Sequence, residues 1–142
     1  MDSSSVGLIL DSSVLIAAER RGHTVRQILE QIKAAHGEID IGLSVVTIAE
    51  LMHGAYRAKS DVDKRGRLAF IDRLCSDVPV HPVTVEIARR VGPIEGEQAA
   101  QGIVIAFEDL AIGVTALHLG SDVATLNVKH VQTIPGLNVV TL

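Results

Sequence analysis

The chain has no tryptophan, one tyrosine, two phenylalanines and one cysteine in 142 residues. With aromatic residues at 2% and hydrophobic residues at 47%, any core it builds is aliphatic, made of Val, Ile, Leu and Ala. A single cysteine excludes an internal disulfide and a cysteine zinc cluster, and it suits a reducing compartment. Cys75 is expected to pack inward, because Leu68, Ile71, Leu74 and Cys75 recur at helical spacing. No apolar run approaches the roughly 20 residues that a bilayer span needs. The opening residues Met1, Asp2, Ser3, Ser4 and Ser5 carry no basic region of the signal-peptide kind. The expectation is a cytoplasmic protein with no membrane partner. Positive charge is also scarce: 13 Lys and Arg stand against 17 Asp and Glu, a net charge of −4. That balance argues against non-specific nucleic-acid binding by the whole surface.

The charge is unevenly spread. Arg57, Lys59, Lys64, Arg65, Arg67 and Arg73 face only Asp61, Asp63 and Asp72 in the window 57–73, which is +3 while the remainder is −7. Such a run reads either as a solvated helical face or as a rim that touches phosphates. Residues 1–142 make one domain of ordinary size, long enough to bury a real core.

Along the chain, strands alternate with helices. An apolar run at 6–10 reads as a strand, followed by a helix at 14–20 and a second, capped by Thr24, at 25–35 with Val25, Ile28, Leu29 and Ile32 on one face. A strand at 39–43 leads to Ser44 as the cap of a helix reaching 58, whose stripe is Ile48, Leu51, Met52 and Ala55. Further helices are expected at 61–75 and from Thr84 to 91, where Gly92 and Pro93 break or bend the chain. The helix over 110–119 is apolar nearly all round and should be buried, with Ala111, Gly113 and Ala116 allowing a close backbone approach. Strands at 78–80, 122–126 and 137–142 complete the pattern. Alternation of this kind predicts parallel pairing and a three-layer α/β/α sandwich around a mainly parallel sheet.

Four polar residues fall at matching places in that pattern. Asp11 closes the first strand, Glu50 lies early on the helix after the second, Asp109 opens the buried helix, and Asn127 closes a late strand. Taken alone, Asp11 or Asp109 reads first as a helix-start residue favoured by capping or by the helix dipole. Glu50, about 160° to 200° from the stripe positions 48 and 52, reads alone as an exposed helix acid. Together they alter the reading, because in a parallel sheet all four places lie at the carboxyl edge where ligands bind. Three carboxylates and an amide oxygen make a hard oxygen-donor set, suited to Mg2+ with Mn2+ as a substitute. Held together without a cation, such carboxylates repel one another.

At these residues the chain resembles the PIN-domain ribonucleases, and within them the VapC-type toxins of bacterial type II toxin–antitoxin pairs. The matching pieces are residues 8–16 (Leu-Ile-Leu-Asp-Ser-Ser-Val-Leu-Ile), 46–54 (Val-Thr-Ile-Ala-Glu-Leu-Met-His-Gly), 109–117 around Asp109, 125–127 and 134–137, in that order over nearly the whole chain. The resemblance implies a metal-dependent endoribonuclease with Asp11, Glu50 and Asp109 as catalytic acids, these three and Asn127 around Mg2+ or Mn2+, and Ser13 and Thr125 positioning the carboxylates and metal waters. It implies products with a 5′-phosphate and a 3′-hydroxyl, a VapB-type antitoxin as partner, a homodimer, and contact with DNA only through the antitoxin. Arg57 and Lys59 are candidates for holding the RNA backbone. Where the family often has an acid, Asn127 stands, and His130 and Val131 replace a common Asp-Phe pair. Three rival readings remain. A phosphatase with a strand-end Asp nucleophile requires a second Asp two residues on, where Ser13 stands. The others are a PIN-fold binding module without catalysis and an RNA-processing nuclease outside a toxin–antitoxin pair.

Overall fold

A computed structural model describes residues 7–142. Its elements in order are β1 (Gly7–Leu10), α1 (Ser12–Arg20), α2 (Val25–His36), β2 (Asp40–Ser44), α3 (Val45–Tyr56), α4 (Asp61–Asp77), β3 (Val80–His81), α5 (Val85–Ala100), α6 (Phe107–Leu119), β4 (Asp122–Ala124), α7 (Val128–Val131) and β5 (Val139–Val140). The strands form a five-stranded sheet in the order β3-β2-β1-β4-β5. Every pairing is parallel, with Leu8 opposite Ile41 and Leu10 opposite Ala124. The chain therefore steps to one side of β1 for β2 and β3, and to the other for β4 and β5. That reversal beside β1 opens a crevice at the carboxyl edge, the usual ligand position in such sheets.

Strand alternation divides the core in two. Leu8 and Leu10 face a cluster formed with Leu15, Ile28, Ile32, Leu51, Ile71 and Leu74, while Ile9 faces the opposite cluster of Ile87, Leu110, Ile112, Val114 and Ile134. Helices thus cover both sheet faces, as the alternating sequence predicts. Helix α6 is buried from Leu110 through Ala116. A Cβ on Gly113 would come within 2.6 Å of Ile134 Cδ1, so the missing side chain is what lets the turn after α7 seat on α6.

Several expectations need correction. Helix α5 does not break at Gly92 and Pro93 but runs through both to Ala100. Pro93 removes one bond to the Arg89 carbonyl, and both residues lie on the exposed side, where water takes the donor's place. Cys75 is exposed rather than packed; Ile71 and Leu74 carry the buried stripe, and the next residue turns about 100° away from it. Helix α1 starts at Ser12, two residues early, and α7 escapes the sequence pattern altogether. The strand expected over 122–126 ends at Ala124, although Thr125 N still donates to Val140 O. The final strand is confined to Val139–Val140. Val6, expected in the first strand, lies outside the described residues.

Candidate active site

Asp11 leaves the end of β1 with extended backbone (φ −76°, ψ 155°) at the N-cap of α1, yet its side chain makes no capping bond. Its Oδ2 instead accepts from Ser13 Oγ at 2.7 Å and from Thr125 Oγ1 at 2.8 Å. Ser13 reaches back because it sits in the first turn of α1; Thr125 arrives from the end of β4, the strand beside β1. The two hydroxyls are 3.3 Å apart and are themselves held, Ser13 Oγ accepting from Leu126 N at 3.0 Å and Thr125 Oγ1 from Asn127 N at 2.9 Å. Asp11 is 8% exposed and Thr125 1%. Both donors use one carboxylate oxygen, and among the described residues Oδ1 has no protein donor.

Glu50 comes from the second turn of α3 and is half-buried rather than an exposed helix acid. Helix α3 passes between the two core clusters, with Leu51 and Ala55 in one and Val46 against the other, so the side away from its main stripe is also covered. Thr47, one turn before Glu50, is fully buried. Ser12 Oγ donates to Glu50 Oε1 at 3.0 Å and ties the start of α1 to α3. Asp109 lies in the first turn of α6, whose N-cap Ala106 has no side chain to cap with. Its Oδ2 stands 3.4 Å from His130 Nδ1, on α7.

Glu50 and Asp109 feel the charges around them. Burial pushes the Glu50 carboxyl above its ordinary range, the Ser12 hydrogen bond opposes that rise, and the charges of Asp11, Asp109 and Glu108 add to it. Burial likewise pushes Asp109 up, His130 pulls it down, and Asp11 and Glu108 push it up again. Asn127 is exposed at the N-cap of α7 and makes no side-chain cap bond; only its backbone N–H joins the Thr125 link. Arg57 and Lys59 are exposed at and just beyond the end of α3, apart from the acids.

Ser12, Glu108 and His130 are part of this edge and were not singled out as site residues by sequence. Ser12 carried a signal as one of two hydroxyls after a strand-end Asp, and His130 as the residue standing where relatives often carry an acid. Glu108 carried none beyond adjacency to Asp109.

The PIN domain pattern matches residues 8–133, which takes in every residue of this edge. The chain belongs to the PIN-domain family. Within the family it is 31% identical over 137 residues to Ribonuclease VapC1 of Rickettsia felis, covering 96% of this chain and 97% of the relative. It is 32% identical over 138 residues to Ribonuclease VapC of Rickettsia bellii, with the same coverage. Among solved structures, VapBC-1 of nontypeable Haemophilus influenzae superposes with a TM-score of 0.78 at 25% identity, over 94% of this chain and 96% of that one. Among the described residues, no helix is long and apolar enough to cross a membrane.

Proposed function

We propose that this PIN-domain protein is a metal-dependent endoribonuclease, the toxin of a toxin–antitoxin pair, acting on RNA in the cytoplasm. The observation that carries the reading is Asp11: an acid at a helix start that caps nothing and is instead fixed by two hydroxyls on one of its oxygens. The kinship to VapC ribonucleases over nearly the full length supports the substrate and, through VapBC, an antitoxin partner.

The residues present fit a hard divalent cation. Glu50 and Asp109 are raised by burial and by their acidic neighbours, a repulsion that a cation would relieve. Among the described residues no three Asp, Glu, His or Cys side chains stand as a group that could hold a metal ion directly. Mg2+ keeps several waters and takes only one or two carboxylates directly, so Asp11, Glu50 and Asp109 would hold it in part through its waters, with Asn127 as a neutral fourth neighbour. The chemistry an ion held there would supply is polarisation of the scissile phosphate and a lowered pKa for a water placed for in-line attack.

The chain's own residues then prepare the site. Ser13 and Thr125 fix the Asp11 carboxylate, Ser12 fixes Glu50, and His130 steadies Asp109. The domain is proposed to act as a homodimer, as the family resemblance implies, with Arg57 and Lys59 offered to the RNA backbone. Purified protein given Mg2+ or Mn2+ should cut RNA to leave 5′-phosphate ends. Asp11→Asn should lower that rate by about a hundredfold or more, with an unchanged circular dichroism spectrum. Equal cutting by the variant would remove Asp11 from the site.

A further inference from the structure

Three aromatic rings exist in this chain, and they are used differently. Phe70 packs against the core cluster on the α1 and α2 side, and Phe107 is half in water at the start of α6. Tyr56, the last residue of α3, is 62% exposed. Its ring is not idle: Lys64 Nζ of α4 lies 4.0 Å from the ring centroid. A cation on one face of an otherwise solvated ring leaves the opposite face as a flat apolar surface, held in place and short of a partner. Arg57, Lys59 and Arg65 stand exposed around it, against Asp61 and Asp63 in the first turn of α4.

The ring also has a fixed relation to the acids. Tyr56 follows Glu50 by six residues on one helix, about 9 Å along its axis and about 120° around it, a distance that two to three nucleotides can span. Arg67 lies one turn beyond Lys64 on α4 and donates to Gly54 O at 2.9 Å. It lines a groove between α1, α3 and α4 in which Arg20 and Arg67 stand against Glu19 and Glu50 over an apolar floor that includes Leu15, Leu51 and Phe70.

We propose that Tyr56, backed by Lys64, is a stacking subsite for one unpaired base of a single-stranded RNA whose backbone runs from the acidic edge along Arg67 and Arg57. This rests on the ribonuclease reading above and adds to it a residue that holds a base. A ring that stacks one base tolerates any base identity but requires the base to be splayed from a helix, so it selects loops and single strands over duplex. The ammonium of Lys64 polarises the ring on its far face and also sits within reach of the phosphates flanking the stacked base.

Because the chain has one tyrosine and no tryptophan, its intrinsic emission reports this one ring. The experiment titrates the full chain, without divalent ion so that nothing is cut, with a fluorescein-labelled single-stranded oligoribonucleotide and with an abasic oligomer of equal length. Anisotropy of the label reads binding, and tyrosine emission with unlabelled copies reads the ring. The expected result is quenching by the base-bearing strand and little by the abasic one. Tyr56→Leu should weaken binding by about tenfold, and Tyr56→Phe, which keeps the ring, should bind as the parent does. Oligonucleotide binding with unchanged emission, equal quenching by the abasic strand, or full affinity in Tyr56→Leu would each overturn the subsite while leaving the ribonuclease reading standing. Failure of every strand to bind would overturn the subsite, and the ribonuclease reading falls with it if RNA also stays uncut when Mg2+ or Mn2+ is restored.

Discussion

Two sets of helix starts differ in how they use their polar residues. Helices α2, α3, α4 and α5 begin with Thr24, Ser44, Ser60 and Thr84, and each hydroxyl accepts from a backbone N–H of the first turn. Thr24 goes further and forms a full capping box with Gln27. Helices α1, α6 and α7 begin at Asp11, Ala106 and Asn127, and none has a side-chain cap bond. Those three carry Asp11, Asp109 and Asn127 of the acidic edge at their starts, whereas Glu50 comes from the second turn of α3, whose start is capped by Ser44. A cap contributes about 1 kcal/mol, so the chain forgoes that stabilisation three times in one small region. Proteins break local rules where function asks for it, and here the Asp11 side chain is fixed by Ser13 and Thr125 rather than by its own helix.

Interchanging the two kinds of position sharpens that contrast. The largest effect is expected at Thr125, buried and bonded to Asp11. Thr125→Val keeps its shape but removes one of the two donors to the carboxylate and the acceptor for Asn127 N. Ribonuclease activity should fall by about 10- to 100-fold, with a cost in stability of about 1–3 kcal/mol by urea unfolding. An unchanged rate would show that the hydroxyl shell does not position Asp11. Thr24→Ala, at a capped start, should do the reverse: about 1 kcal/mol lost in stability and cleavage kinetics equal to the parent's. A slowed reaction there would erase the distinction between the two sets.

The smallest effect is the most diagnostic of strain. Glu50 and Asp109 have raised folded-state pKa values, so within the window between the ordinary carboxylate range and those raised values the folded chain binds more protons than the unfolded one. Metal-free stability therefore falls as pH rises through that window, and the penalty is complete above it. Glu50→Gln keeps the acceptor for Ser12 but removes the charge. Its metal-free Tm at neutral pH should exceed the parent's by about 1–3 °C, and the gain should vanish at acid pH, where the parent's Glu50 is protonated. A lower Tm at neutral pH would mean that the charge is well solvated and the repulsion unimportant.

Much of this was legible in the residues. The abrupt stop of an apolar run at Asp11, the caps Thr24 and Ser44, and the all-round apolar α6 are local signals that tertiary structure only had to accept. The misses share a cause. Pro93 reads as a breaker because sequence does not reveal that its lost partner faces water, and Cys75 reads as core because one residue of phase separates it from Leu74. Four residues of α7 are too few to show a period. The pairs Ser12 with Glu50 and Asp109 with His130 depend on how helices cross, 38 and 21 residues apart, and no spacing rule reaches them. What the helix starts alone left open, whether Asp11 caps or faces outward, was decided by Thr125, which only the β1 and β4 pairing brings within reach.

An ion proposed at the uncapped edge is what would join Asp11, Glu50 and Asp109 in one function. Calorimetric titration of Mn2+ and Mg2+ into the protein and into Asp11→Asn, at equal pH and salt, reads it without reference to catalysis. Saturable binding by the parent that is lost or greatly weakened in Asp11→Asn, while Thr24→Ala binds as the parent does, is the result predicted. Equal binding by the parent and by Asp11→Asn would contradict it.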